Sequence, residues 1–384
     1  MPGERANSEQ IAQSAPFVVT RRPAEADPRR DEKLLAAIAR VAPGTDLRQG
    51  IDDIIRSREG ALIVIGEPQD LAFLFSGGIQ LDVPFTSQFL FELAKMDGAI
   101  IVTSDLAKIV QANVQLMPDP SIPSAETGTR HRTAERVAKQ TDALVISISQ
   151  QRETVTIFAG SRRYQLDPVA DVLAKTNQAL STLETYRQRL EQVLTRLTAL
   201  EFQHAVMLDD VLVVVQRAEI TTRMADEIER DFVELGDEAR VIRIQLSELM
   251  ENVPEEKRAV VFDYQGNDGA GQVEEALERL SGLSYQQLLE FEVLQQLLGY
   301  DAAANPLDHA VSPRGYRVLS HIPRLPERVI ASVAGELEGL EAIVRASARE
   351  LEAVGGVGPA RAREIREGLR RLQEHNLVDR YLQL

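Results

Sequence analysis

The chain has 384 residues, a net charge of −16, 44% hydrophobic residues and no cysteine. That length predicts two or three domains with ample core, and the lack of cysteine excludes disulfides, thiolate metal sites and a cysteine nucleophile. Five scattered histidines speak against a zinc site; no apolar run approaches the roughly 18 residues of a membrane span and no signal-peptide core opens the chain, so a cytoplasmic protein with no membrane partner is expected. The acidic balance argues against a surface that wraps nucleic acid everywhere. The charge is segregated, however. Residues 312–384 carry 12 Arg against 10 acidic residues, which leaves 31 basic against 49 acidic residues on the remainder. The C-terminal part is the one that tolerates DNA.

Residues 1–30 are polar and aperiodic and read as a disordered leader. Helical spacing begins at Asp31 (Leu34, Leu35, Ile38, Val41) and stops at Pro43-Gly44, and a second helix (Leu47, Ile51, Ile54, Ile55) is closed by Gly60. Strands are expected over 61–65, 79–85, 99–102, 143–149 and 154–159, with a helix over 89–95 that breaks at Asp97-Gly98. Alternating strands and helices predict an α/β domain, a mixed sheet with flanking helices, over 31–167.

From 168 to about 202, Val169, Thr176, Leu183, Leu190 and Leu197 recur every seven residues, beside a companion row (Leu173, Leu180, Leu194) broken at Arg187. This is a long amphipathic helix with coiled-coil spacing, either a spine packed on its neighbours or a self-association surface. The pattern stays all-α to 310, with helices over 206–215, 225–235, 242–250, 273–280 and 285–298. Asp209-Asp210 and the group Glu227, Glu229, Asp231 read as solvated faces. Residues 263–269 read as a flexible linker, a poor match to a calcium loop.

Two stretches carry chemistry. In Gly128-Thr129-Arg130-His131-Arg132-Thr133 a flexible, proline-containing lead-in (118–127) turns into a helix. Unpaired amides and the positive end of the helix bind phosphate there. Arg130 and Arg132 add charge-assisted contacts, and Thr129 and Thr133 add hydroxyls. The plainer alternative is a capped surface helix with solvated arginines. In Asp97-Gly98-Ala99 a turn leads into a buried strand. Gly98 lets a ligand approach the backbone, and Asp97 offers a carboxylate for a metal or a hydroxyl; a bare turn is the alternative.

Near the end, Val354-Gly355-Gly356-Val357-Gly358-Pro359-Ala360-Arg361-Ala362-Arg363 resembles a helix-hairpin-helix motif. Glycines permit a tight hairpin whose amides meet DNA phosphate without reading bases. Gly356, Val357, Gly358, Arg361 and Arg363 are the DNA-binding candidates, in a C-terminal helix-hairpin-helix domain over 311–384. Ile322-Pro323-Arg324-Leu325-Pro326 begins a degenerate copy. A packed hairpin without DNA contact is the alternative.

Together, Asp97-Gly98-Ala99 and Arg130-His131-Arg132 resemble the two motifs that frame the ATP site of the diadenylate cyclase family. The segments around them match as well: 49–66, 112–116 and 144–149. The resemblance spans residues 32–384. It implies condensation of two ATP to cyclic di-3′,5′-AMP and two pyrophosphates with Mg²⁺ or Mn²⁺, across two facing cyclase domains. Asp97 would hold the metal and orient the 3′-hydroxyl. Gly98, Ala99 and Leu116 would line the nucleoside pocket. Thr129, Arg130, His131, Arg132 and Thr133 would hold the triphosphate, assisted by Ser149. The family's usual glutamate after that serine is Gln150 here. The resemblance further implies a homo-octamer and a C-terminal module that binds branched DNA, nucleoid-associated when DNA-bound, and suppresses synthesis. A nucleotide-sensing DNA-binding scaffold without turnover and a nucleotide hydrolase are the competing readings.

Overall fold

The computed structural model describes residues 31–266, 273–303 and 305–382. The leader at 1–30 and the second half of the 263–269 stretch, from 267 on, lie outside the described residues. The chain divides into two compact units, residues 1–167 and 168–384. Among the described residues no helix is long and apolar enough to cross a membrane.

The first unit is a mixed sheet with helices on it. Its elements are α1 (Glu32–Arg40), α2 (Asp46–Arg56), β1 (Ala61–Ile65), α3 (Pro68–Leu71), β2 (Phe75–Ser76), β3 (Ile79–Pro84), α4 (Ser87–Ala94), β4 (Ala99–Val102), β5 (Lys108–Leu116), α5 (Thr129–Gln140), β6 (Leu144–Ser149), β7 (Thr154–Ala159) and β8 (Arg162–Gln165). Asp31 and Thr45 cap α1 and α2 by accepting backbone N–H bonds of the first turn. The strand order is β2-β5-β4-β1-β6-β7-β8, with β3 also on β5. Among the described residues only β1 and β4 pair in parallel; every other strand pairing is antiparallel.

β1, β4 and most of β6 are buried residue after residue, as strands covered on both faces must be. On one face Leu62, Val64, Ala99, Ile101, Val145 and Phe158 pack with Ala134, Val137 and Ala138 of α5. Each fully buried valine or isoleucine side chain there contributes about 1.5–3 kcal/mol by leaving water. This packing fixes α5 and hence the position of its first turn.

The second unit is all-α. Its helices are α6 (Val169–Gln203), α7 (Leu208–Leu235), α8 (Arg240–Leu249), α9 (Val253–Tyr264), α10 (Val273–Gly282), α11 (Tyr285–Leu288), α12 (Phe291–Leu297), α13 (Tyr316–Ser320), α14 (Glu327–Glu336), α15 (Leu340–Arg345), α16 (Ala348–Ala353) and α17 (Pro359–Leu382). Thr176, Leu183, Leu190 and Leu197 of the heptad row are fully buried within the single chain, with α7 as the main neighbour of α6. The row is thus a spine and not a free association surface. The companion row breaks at Arg187 because that side chain serves another helix: its Nε donates to the Leu249 carbonyl at the end of α8, 3.0 Å away.

Three sequence expectations change here. The two apolar segments at 206–215 and 225–235 form one continuous helix, α7. The acidic pairs are not simply solvated: Asp210 accepts from the Met207 amide and pairs with Arg196, and Asp231 accepts from Thr176. Asp263 and Tyr264 are not linker residues but the buried last turn of α9.

Candidate active site

Strand ends and one helix start meet at one end of the sheet. In the parallel pair Leu62 lies opposite Ala99, so Gly60 and the Asp97-Gly98 turn enter adjacent strands side by side. β5 and β6 run the other way, with Val114 opposite Ala99 and Ile148 opposite Ala61. Leu116 and Ser149, just beyond them, therefore reach the same end. Arg130 in the first turn of α5 joins the group, its Nη1 donating to the Ile148 carbonyl at 3.4 Å. Residues separated widely in sequence are thus gathered at the N-terminal ends of β1 and β4. Doubly wound parallel sheets bind at the opposite end.

Asp97 is exposed and has no hydrogen-bond or ion-pair partner among the described residues. Gly98 has φ +97°, and a Cβ on it would lie 2.8 Å from the Asn113 carbonyl carbon and 3.0 Å from the Asn113 Cα. Asn113 itself has φ +55° at a register shift between β4 and β5, the mark of a β-bulge. The room left by the missing Gly98 side chain is therefore filled by β5 backbone and not by a ligand. The Ala99 side chain is fully buried and Leu116 nearly so; they shape the site from beneath.

The first turn of α5 has no side-chain cap at Gly128, and the first intrahelical bond from this start is Arg132 N to Gly128 O at 2.9 Å. The amides of Thr129, Arg130 and His131 are left for a ligand or water. His131 is half-buried and stands edge-on to Phe158, ring centroids 6.4 Å apart. Burial pushes its imidazole below the ordinary range; Glu126 opposes the shift, and Arg163, Arg130 and Arg152 reinforce it. The ring is neutral at pH 7 and has one N–H to donate.

The lead-in to α5 is hydrogen-bonded along the helix that follows it. Arg132 donates from Nε to the Glu126 carbonyl (3.3 Å) and from Nη2 to the Thr127 carbonyl (3.2 Å). Glu135 accepts from Ser124 Oγ and from the Ala125 amide. Arg136 Nε holds the Ile122 carbonyl, Lys139 Nζ the Pro123 carbonyl, and Gln140 the Asp119 amide. One polar face of the helix straps the loop down. Composition suggests mobility, but Pro123 and the polar groups around it have partners on the following helix.

Sequence reasoning missed two cations. Arg163 of β8 pairs with Glu126 at 2.5 Å, and Arg152 donates its amide to Ser149 Oγ at 3.3 Å. The neighbourhood of Ser149 was a signal for Arg152; a short charged edge strand offered none for Arg163. Among the described residues no three His, Asp or Glu side chains cluster to hold a metal ion. A divalent cation here would rest on Asp97 and substrate phosphate oxygens, a donor set that suits Mg²⁺.

The C-terminal candidates lie on the turn between α16 and α17 and in the first turns of α17. Gly356 has φ +83°, a conformation that favours glycine. Val357 is buried in the helical core and its amide donates to Val354, so its side chain faces inward. Gly356 and Gly358 are exposed, and their amides donate to no described residue. Arg361 folds back onto the Gly356 carbonyl at 2.7 Å, and Arg363 Nε reaches the Pro359 carbonyl at 3.2 Å.

Residues 48–163 match the family described as the DisA bacterial checkpoint controller nucleotide-binding domain. Residues 166–307 match the DisA bacterial checkpoint controller linker region. With the nucleotide-binding match falling on the sheet that gathers Asp97 and Arg130, the chain is a diadenylate cyclase. Relatives named DNA integrity scanning protein DisA align along nearly its whole length. The one from Parafrankia sp. (strain EAN1pec) is 46% identical over 358 residues, 93% of this chain and 100% of the relative. The one from Carboxydothermus hydrogenoformans is 47% identical over 345 residues, 90% of this chain and 98% of the relative. The chain belongs to the DisA family.

Proposed function

We propose that the chain condenses two ATP molecules to cyclic di-3′,5′-AMP and two pyrophosphates across two cyclase domains that face each other. In each of two equivalent steps the 3′-oxygen of one ATP bonds to the α-phosphorus of the other. The bond from that phosphorus to the β-phosphate oxygen breaks, pyrophosphate leaves, and the hydroxyl proton passes to solvent. One site holds one ATP, so a second copy must complete the reaction. This requires a homo-oligomer, an octamer if the family pattern holds.

The observation that carries this reading is the meeting of the exposed Asp97 and the uncapped start of α5 at one end of the sheet. Asp97 orients the 3′-hydroxyl and would hold Mg²⁺ or Mn²⁺ beside substrate phosphate oxygens. That cation, when bound, neutralises phosphate charge. The amides of Thr129, Arg130 and His131 take phosphate oxygens, and Arg130 adds a charged donor. Thr129 and Thr133 offer hydroxyls, and neutral His131 offers one N–H. Arg132 keeps the loop in place. Gly98, Ala99 and Leu116 bound the nucleoside side, and Ser149 closes the edge. Positioning and charge neutralisation supply most of the rate.

The C-terminal hairpin is the proposed DNA module. The exposed amides of Gly356 and Gly358, with Arg361 and Arg363, suit the phosphates of branched DNA. Binding there lowers synthesis. If the coupling acts on binding equilibria, ATP must alter DNA affinity by the same factor.

Chromatography with mass detection tests the reaction, using the full chain, ATP and Mn²⁺ or Mg²⁺. One cyclic diadenylate per two pyrophosphates is expected, with loss of product in Asp97→Asn. ATP left intact overturns the reading in favour of a nucleotide-sensing scaffold, and AMP or phosphate as product in favour of a hydrolase. Junction DNA that leaves turnover unchanged at saturation removes the regulatory step.

A further inference from the structure

We infer that Gly60 is a positioning residue of the cyclase site, acting through Arg130; the inference rests on the cyclase reading above. Gly60 lies between α2 and β1 and is buried. It is not among the residues with positive φ, so its backbone does not require glycine. Space does. A Cβ built on Gly60 would lie 2.1 Å from Arg130 Nη1, 3.0 Å from Arg130 Cζ and 3.2 Å from the Ile148 carbonyl oxygen. The Arg130 guanidinium thus lies against the bare backbone of Gly60 and donates to that same carbonyl. Pairing of Ala61 with Ile148 sets the walls of this slot. The slot is a gap in the entry to β1 that only glycine leaves open.

The slot matters because a free arginine has many rotamers, and an arginine already held loses less freedom when it meets phosphate. It also directs the guanidinium to the sheet end where Asp97 and Ser149 lie. Substitution at Gly60 separates this role from folding. The closest atom to the new methyl group is the tip of a flexible side chain, which can swing away. The carbonyl of Ile148 need yield only a few tenths of an ångström. At an ordinary φ, alanine also restricts the unfolded chain and so favours the folded one. Gly60→Ala is therefore expected to leave stability unchanged or raised while activity falls. A purely structural glycine would lower both together.

The test is a double-mutant cycle on the full-length protein. Wild type, Gly60→Ala, Arg130→Ala and the double variant are compared by cyclic diadenylate formation, by ATP calorimetry and by thermal unfolding. Gly60→Ala is expected to lower kcat/KM by at least about tenfold, the low end for losing a charged hydrogen bond. In the Arg130→Ala background the same substitution should have no further effect, because the methyl group then occupies vacated room. If Gly60→Ala alone proves unstable, the double variant should regain the stability of Arg130→Ala. Wild-type kcat/KM in Gly60→Ala overturns the inference, and so does an equal loss in both backgrounds. Absence of product from the wild type would instead defeat the cyclase reading. ATP affinity would then still judge Gly60, by whether its substitution weakens binding only where Arg130 is present.

Discussion

Arg130 in the first unit and Arg317 in the second differ in how much of each guanidinium the protein uses. Arg130 is half-exposed and makes one long bond, 3.4 Å to the Ile148 carbonyl. Arg317 is 1% exposed. Its Nε donates to Glu201 (3.2 Å), Nη1 to Glu256 (3.3 Å) and Nη2 to Thr198 (2.8 Å), and a second bond joins Nη2 to Glu201. Tyr264 donates to Glu201 as well, and His321 pairs with Glu256. Burial alone would raise the Glu256 carboxyl, but the His321 bond and the charge of Arg317 hold it below its ordinary range. The lesson is that an arginine's partners state its use. A cation with its donors filled fixes α13 to α6 and α9; a cation with most donors open is positioned for something that arrives.

Removing each arginine separates the two uses. Arg317→Met leaves Glu201 buried without its charge partner and is expected to cost about 3–5 kcal/mol, the range for breaking one side of a buried pair. Urea unfolding of the full chain measures it. Replacing Glu201 and Arg317 together by apolar residues should recover most of the loss, and a double variant as unstable as the single one would refute this account of the network. Arg130→Met should unfold within about 0.5 kcal/mol of wild type, as expected away from packed features. It should nonetheless weaken ATP engagement by about 1.5–3 kcal/mol, the range for a charged hydrogen bond. Equal unfolding penalties for Arg130 and Arg317 would erase the distinction.

Glu201 also shows where reading the sequence stops. The heptad row of α6 is legible because burial repeats along one helix face, and Leu183, Leu190 and Leu197 lie where that rule puts them. Glu201 follows one turn later, fully buried, and its partner Arg317 is 116 positions away. No local pattern joins them. The active site divides in the same way. Asp97-Gly98 and residues 128–133 are contiguous and carry their own chemistry. Gly60, Asn113 and Arg163 act only through packing between strands, and the period-two pattern of β5 breaks where Ile109 and Val110 are both buried, beside the second register shift against β4. The straps on residues 118–127 are likewise long-range, for a helix face reads as surface until its partners are known.

The smallest of these effects depends on pH and also comes from the buried network. Asp263 caps α13 by accepting from the Tyr316 and Arg317 amides, at 2.8 and 2.9 Å. Burial pushes its carboxyl up to about 7; the Arg317 amide opposes this, Glu201 adds to it, and the Tyr316 amide and the charge of Arg317 oppose it again. In the unfolded chain the same group returns to the ordinary carboxylate value near 3.8. Between those two values the folded chain binds more protons than the unfolded one, so stability falls as pH rises. The contribution is fully present below the unfolded value and is lost as pH rises through about 7. From pH 6 to pH 8 the expected loss is about 1.4 kcal/mol, one pH unit's worth of linkage. Denaturant unfolding of wild type and Asp263→Asn at both pH values isolates it, since every other titrating group is common to the two proteins. The substituted amide is neutral throughout and keeps an acceptor for one backbone N–H, so the variant's stability should change less by that amount. Parallel pH profiles would mean that Asp263 stays ionised in the fold, held by its two amides and by Arg317, and that the network carries two buried anions against one cation with no proton to spare.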